Sequence, residues 1–200
     1  MAPTVIDPKA VRAFKDAAAF AKWLGTHHAG TTELWLKLAK TGSGIASVTY
    51  PEALDEALCW GWIDGQKKGL DDQYWLQRFV PRGPKSIWSK INREHVARLI
   101  KERRMQPEGQ AEIDRAKADG RWDKAYDGAA KMEFPDDLLT AIEAEPKALA
   151  LFQTLNATNR YAMAFRVHHL KTAAGRAKKI ESFVAMLKRG ETIYPNGKKK

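Results

Sequence analysis

The feature that most constrains this sequence is a change of hydrophobic period near residue 90. Before it, apolar residues recur at alternate positions in short runs; beyond it they recur every third or fourth residue. In Glu33 to Lys40 the leucines at 34, 36 and 38 fall on one face of a pleated chain, which predicts a strand. Gly61 and Gly65 bracket Trp62-Ile63-Asp64, and Tyr74 to Val80 alternates aromatic with polar residues, so two more strands are expected with a turn at 68–72. Pro81 and Pro84 end the sheet region. Short helices are interleaved: 16–24 carries Ala17, Phe20, Ala21 and Leu24 at helical spacing with Gly25 as a stop. Thr49-Tyr50-Pro51-Glu52 has the spacing of a capping box, which starts a helix running to about Trp60.

Beyond residue 90 the pattern is helical. Ile91, His95, Val96, Leu99 and Ile100 form a stripe, and Pro107 opens a helix through Ala118 that Gly120 closes. Pro135 and Pro146 read as first-turn prolines, Asn156 or Thr158 caps a further helix, and Ile180, Val184 and Leu187 mark the last. The fold class is therefore α+β: an amino-terminal small β-sheet with short helices, then a mostly helical carboxy-terminal part. The expected division is 1–105 and 106–200, packed together as one structural unit. At 200 residues and 44% hydrophobic content the chain can bury a core of this kind. A single cysteine, Cys59, rules out an intramolecular disulfide framework and favours a reducing compartment. Met1 to Lys9 lacks a secretory pattern and no apolar run approaches a membrane span of roughly 20 residues. A cytoplasmic protein with no membrane span is the expectation.

The net charge of +10 is unevenly spread. Residues 1–80 are neutral, 81–110 carry +5, 111–160 carry −3 and 161–200 carry +8. Basic blocks of this size attract nucleic acid, anionic lipid or acidic proteins. They also arise from solvated surfaces, here a disordered tail at Lys198–Lys200 and a helix bearing Lys178, Lys179, Lys188 and Arg189. Between Arg78 and Arg104, aromatic residues interleave with Arg82, Lys85, Arg93, Arg98, Arg103 and Arg104, a combination that nucleic-acid binders use without sequence preference.

The densest chemistry lies between residues 56 and 90. Trp62 and Trp88, with Glu56, Asp64, Arg78 and Lys90, make a candidate pocket in which arginine forks a carboxylate or phosphate and an indole face stacks a planar group. The competing reading makes the tryptophans core and pairs Asp64 with Arg78 across neighbouring strands. An enzyme would use Glu56 or Asp64 as general base. Cys59 sits beside tryptophans at an apolar helix end, where burial leaves a thiol inert. The paired histidines, 27–28 and 168–169, lack the spacing that aims ligands at one metal ion, and no cofactor is expected. Thr41-Gly42-Ser43-Gly44 lacks the lysine of a phosphate loop. No internal repeat is present.

The run Glu52 to Gly65, with Cys59-Trp60-Gly61-Trp62-Ile63-Asp64-Gly65 at its end, resembles the central signature of the YdeI/OmpD-associated family, also called the bacteriocin-protection family. Leu76 to Arg82 and Ser86 to Asn92 follow in the order that the family shows; the similarity continues more weakly through Met105 and Gly120-Arg121-Trp122, and the carboxy-terminal helices ending near Leu187-Lys188-Arg189-Gly190 are also similar. The resemblance implies a role in stress or in protection against bacteriocins or cationic peptides, and association with a porin. It also implies a periplasmic location, from which this chain departs in showing no signal sequence. It carries over no catalytic residue. Three readings follow: a protein that binds an anionic small molecule or an acidic partner, an enzyme built on the same residues, and a nucleic-acid-associated protein. The oligomeric state is not expressed in the sequence.

Overall fold

The leucine alternation at 34–38 and the aromatic alternation at 74–80 become the two central strands of one sheet. A computed structural model describes residues 6–128 and 132–197, and Lys198–Lys200, expected to form a tail, lie outside them. The chain divides into two compact units, Met1–Tyr126 and Asp127–Lys200. Residue 105, where the sequence pattern divides the chain, falls within the span of the first of them.

The first unit contains β1 (Val11–Ala13), α1 (Ala17–His27), β2 (Leu34–Ala39), α2 (Tyr50–Cys59), β3 (Trp62–Gly69), β4 (Tyr74–Pro81), α3 (Lys90–Lys101) and α4 (Pro107–Ala118). The strand order is β1-β2-β4-β3, with β1 parallel to β2 and the other pairs antiparallel. Leu34, Leu36 and Leu38 stand opposite Phe79, Gln77 and Trp75. This face joins Phe20 and Leu24 of α1 and Ala53, Leu54, Ala57 and Leu58 of α2 in one core. Strand β1 escapes the sequence pattern because three residues carry no alternation. Gly25 does not end α1 either. The helix passes through it, and the missing side chain lets Trp60 pack against the backbone, where an added Cβ would lie 3.4 Å from Trp60 Cζ2.

Two backbone devices orient the end of this sheet. Strand β3 carries a bulge between Asp64 and Lys67, which leaves the Gly65 and Gln66 carbonyls out of the ladder. The buried Gln77 amide fills the gap by donating to Gly65 O at 3.0 Å and to Gln66 O at 3.3 Å. Gly61 turns the chain from α2 into β3 with φ +72°, and its carbonyl accepts from Arg82 N at 2.9 Å. A side chain at Gly61 would also press on Glu108 O of α4 at 3.0 Å. Helix α3 is narrower in its contacts than its sequence stripe: Val96 and Leu99 are buried, whereas Ile91 and Ile100 are exposed.

The second unit holds α5 (Asp136–Glu143), α6 (Pro146–Thr154), α7 (Ala157–His168) and α8 (Ala173–Lys188) around Leu138, Ile142, Phe152, Met163, Val167, Phe183 and Leu187. Asn156 caps α7 through its side chain. Asn159, 1% exposed, holds the segment that follows α8: its Oδ1 accepts from Tyr194 N at 3.0 Å and its Nδ2 donates to Tyr194 O at 3.1 Å.

Two stability outcomes follow. Gly109 of α4 touches the end of α2 so closely that a Cβ would stand 2.2 Å from Cys59 O. Gly109→Ala should therefore destabilise the first unit by about 3 kcal/mol or more in urea unfolding, while Gly30→Ala, with open space around it, should leave it unchanged. An equal effect of the two would refute the close docking of α4. In the second unit Asn159→Ala strands both Tyr194 groups and should cost about 1–3 kcal/mol; a loss no larger than that of an exposed Asn→Ala change would contradict the role of Asn159.

Candidate functional site

Arg82 follows the last residue of β4 and is 5% exposed, an unusual position for a guanidinium. Its charged carbon sits 3.6 Å from the centre of the Trp88 ring, and Trp88 is itself buried, with the Trp122 ring centre 4.9 Å away. Nη1 donates to Ser86 Oγ at 3.2 Å and to Ile87 O at 3.1 Å. Nε and Nη2 are buried and meet no acceptor. The same condition holds for Trp88 Nε1 and for Nη2 of Arg121. Arg121 reaches the same turn, where its Nη1 donates to Ser86 O at 2.6 Å, and its Nε is held by Asp119. Around Ser86, then, donors outnumber acceptors.

The strands of backbone that bring these groups together are far apart in sequence. Tyr126 N donates to Trp88 O and its carbonyl accepts from Lys90 N, so residues 121–126 lie along the turn that precedes α3. Ser89 caps α3 by accepting from Asn92 N. On the other side, Asp64 of β3 accepts from the hydroxyl of Tyr50, the first residue of α2, at 2.9 Å. Burial and the Asp64 charge both push the Tyr50 phenol well above its ordinary value. Tyr126 is raised for the same two reasons, with Arg82 opposing them. Burial pushes the Arg82 guanidinium down to about 10, against the opposing effect of Glu112 and Asp64. At neutral pH the two phenols keep their protons, and the Arg82 and Arg121 guanidiniums both carry N–H groups without acceptors.

Of the residues anticipated from sequence, Asp64 and Trp88 lie in this neighbourhood. Arg82, anticipated in the nucleic-acid set, is its centre. Arg78 does not pair with Asp64: the strand register sets Asp64 opposite Phe79, and Arg78 Nε donates to Glu33 Oε2 at 2.8 Å. Trp62 is core, edge-on to Trp23 at 6.2 Å. Lys90 is exposed on the first turn of α3. Glu56 pairs with Arg104 at 2.7 Å. Within the basic block, Arg93 donates to Trp122 O at 3.0 Å, while Lys85 and Arg103 are exposed. Tyr50, Arg121 and Tyr126 were not anticipated, because no local pattern connects them to residues 82–88.

A second cluster joins α2 to α3. Asp55 Oδ1 lies 2.7 Å from His95 Nδ1 and Oδ2 lies 2.5 Å from Arg98 Nη2. Arg104 also reaches Glu102 at 3.1 Å. These pairs use Arg98 and Arg104 within the protein. Burial pushes the Cys59 thiol up to about 12, with Glu56 adding to the effect, so it is not a nucleophile at neutral pH. Among the described residues no group of three metal-binding side chains occurs and no helix is long and apolar enough to cross a membrane.

Burial raises the Asp55 carboxyl, but hydrogen bonds from Arg98 and His95 outweigh it and hold the group below the usual carboxylate range. A carboxyl so lowered contributes stability that is complete above its unfolded value of about 3.9 and is lost as pH falls through the lower folded value. Asp55→Asn should cost on the order of 1–2 kcal/mol at pH 7, with the gap to wild type closing as pH drops below about 4. Urea unfolding at both pH values checks this; a gap of constant size would contradict the ion-pair assignment.

Residues 12–112 match the family model described as a domain of unknown function (DUF8412), and residues 131–190 match the one described as bacteriocin-protection, YdeI or OmpD-associated. No curated protein and no solved structure matches the chain. The three ordered motifs between Glu52 and Asn92 fall within the first match, and the match that bears the YdeI/OmpD name falls on the carboxy-terminal helices that end near Leu187-Lys188-Arg189-Gly190. The chain belongs to the family defined by that domain of unknown function, which spans half its length, and its second part carries the YdeI/OmpD-associated segment.

Proposed function

We propose that the first unit is a non-enzymatic binding module for a compact oxyanion, seated on Arg82. The observation that carries the reading is the buried Arg82 guanidinium with two N–H groups lacking acceptors, beside Arg121 and Trp88 in the same condition. Leaving a buried donor unmet costs about 1–3 kcal/mol, more for a charged group. An anion with several lone pairs, a phosphate, sulfate or carboxylate, removes that cost at several donors together and balances the second guanidinium. The site is covered by the turn Gly83–Ile87, whose residues other than Ser86 are exposed and which is closed internally by Ser86 N to Gly83 O. Opening of this turn is the route by which an anion enters. Binding rather than turnover is then the means by which the chain contributes to stress resistance or to the bacteriocin protection named in the family matched by its second part.

A basic surface for nucleic acid is a poorer reading, because Arg82 is buried and Arg93, Arg98 and Arg104 are engaged by protein groups. An enzyme with Asp64 as base beside the anion has one observation in its favour, the Tyr50–Asp64 hydrogen bond. Yet the raised Tyr50 phenol keeps its proton and occupies that carboxylate.

Thermal unfolding with phosphate, sulfate and acetate at constant ionic strength tests the proposal. A ligand at a hundred times its dissociation constant stabilises the native state by about 2.7 kcal/mol. Wild type and Arg78→Gln should both show the upward shift, and Arg82→Gln and Arg121→Gln should lose it. No shift for any of the three anions, or equal shifts in all four proteins, would refute the site.

A further inference from the structure

The second unit contains a cavity of about 360 Å³ between α5, α6 and α7, within the size range of small-molecule sites. It arises from α7, where Ala157, Arg160 and Ala164 fall at spacings of three, four and seven and so share one helix face. The two alanines leave the space that larger residues would fill. Opposite them stand Phe134 and Phe152, ring centres 5.0 Å apart, with Met132 and Leu139. Met132, Phe134 and Leu139 are large and apolar but only half-buried. Apolar side chains gathered around an unfilled hollow invite a hydrocarbon occupant.

Arg160 is the one charged residue of the lining among the described residues. Its guanidinium carbon lies 4.8 Å from the Phe152 ring centre. Nη2 closes the end of α6 by donating to Phe152 O at 3.3 Å and Gln153 O at 3.2 Å. This capping role accounts for Nη2. It does not account for Nε, which is buried without an acceptor, or for the hollow beside it.

We propose that this cavity binds a small amphipathic monocarboxylate, an acyl or aryl acid whose apolar chain lies among the phenylalanines and whose carboxylate pairs with Arg160. One fixed guanidinium suits a single carboxylate, which accepts the Nε–H that the capping of α6 leaves unused. A phosphate or polyanion finds no second cation among the described residues of the lining, and an uncharged lipid leaves the arginine unmet. The site is separate from Arg82 in chemistry as well as in sequence: there several guanidinium and indole donors suit a compact ligand, whereas here one guanidinium stands among mostly apolar walls that also include Tyr161.

The test is the methyl spectrum of the full chain labelled at methionine, titrated with octanoate and, separately, with octanol. The Met132 signal, assigned with Met132→Leu, should move saturably with octanoate. Octanol should bind at least about tenfold more weakly, as expected when a charge-assisted pair is lost. Ala157→Phe, at an exposed position on the rim, should abolish the movement, and Arg160→Gln should reduce octanoate affinity to that of octanol. Met163, buried in the same unit, reports whether each variant is folded. The proposal fails if Met132 does not move at saturating octanoate, if octanol binds as tightly, or if folded Ala157→Phe binds octanoate like the wild type.

Discussion

A guanidinium withdrawn from water must find its hydration replaced, and at Arg82 the protein replaces only part of it. The Trp88 face and two acceptors, Ser86 Oγ and Ile87 O, hold one side of the group. The remaining N–H groups face protein without a partner. Much of the first unit serves to put Arg82 there. The left-handed Gly61 ties the end of α2 to Arg82 N, and Asp64, the last residue of β3 before its bulge, accepts from the Tyr50 hydroxyl. The tie between Trp88 and Tyr126 brings residues from the end of the unit alongside. Burial alone would favour losing the charge, while Glu112 and Asp64 favour keeping it. An arginine balanced in this way is poorly explained as a packing residue, since an apolar side chain would fill the volume without the unmet donors.

The parts of this fold that rest on local rules were legible in the sequence. Leucines at 34, 36 and 38 had one way to face a core, and the Thr49–Glu52 spacing formed its hydrogen bond, Thr49 N to Glu52 Oε2 at 2.9 Å. The helix starts at Pro107 and Pro146 follow from the backbone of proline. What local rules could not supply was register and burial. Arg78 and Arg82 look equivalent in sequence, four residues apart on one basic stretch. The strand ends at Pro81, so Arg78 reaches sideways to Glu33 while Arg82 turns under the following loop. Gly25 has the look of a helix stop until Trp60, thirty-five residues later, is seen against it. Tyr50 and Tyr126 become neighbours of Asp64 through one hydrogen bond and one isolated bridge, neither of which leaves a periodic trace.

The same limit applies to the charge of the chain. The excess between residues 81 and 110 suggests a binding face, yet much of it is spent within the first unit. Arg98 and Arg104 join α3 and the following turn to Asp55, Glu56 and Glu102 of the same unit. Charge counted along a sequence therefore overstates charge available to a partner. In the second unit the informative feature is the opposite one: apolar side chains around a hollow with a single cation, in the segment that carries the YdeI/OmpD-associated match.

The central claim, that Arg82 and Arg121 share an anion, is most directly tested by a crystal structure of the protein grown with selenate and measured at the selenium edge. The account predicts an anomalous peak within hydrogen-bonding distance of Arg82 Nε or Nη2 and Arg121 Nη2. Well-ordered water or a protein carbonyl accepting those N–H groups, with no anion at the site, would contradict it.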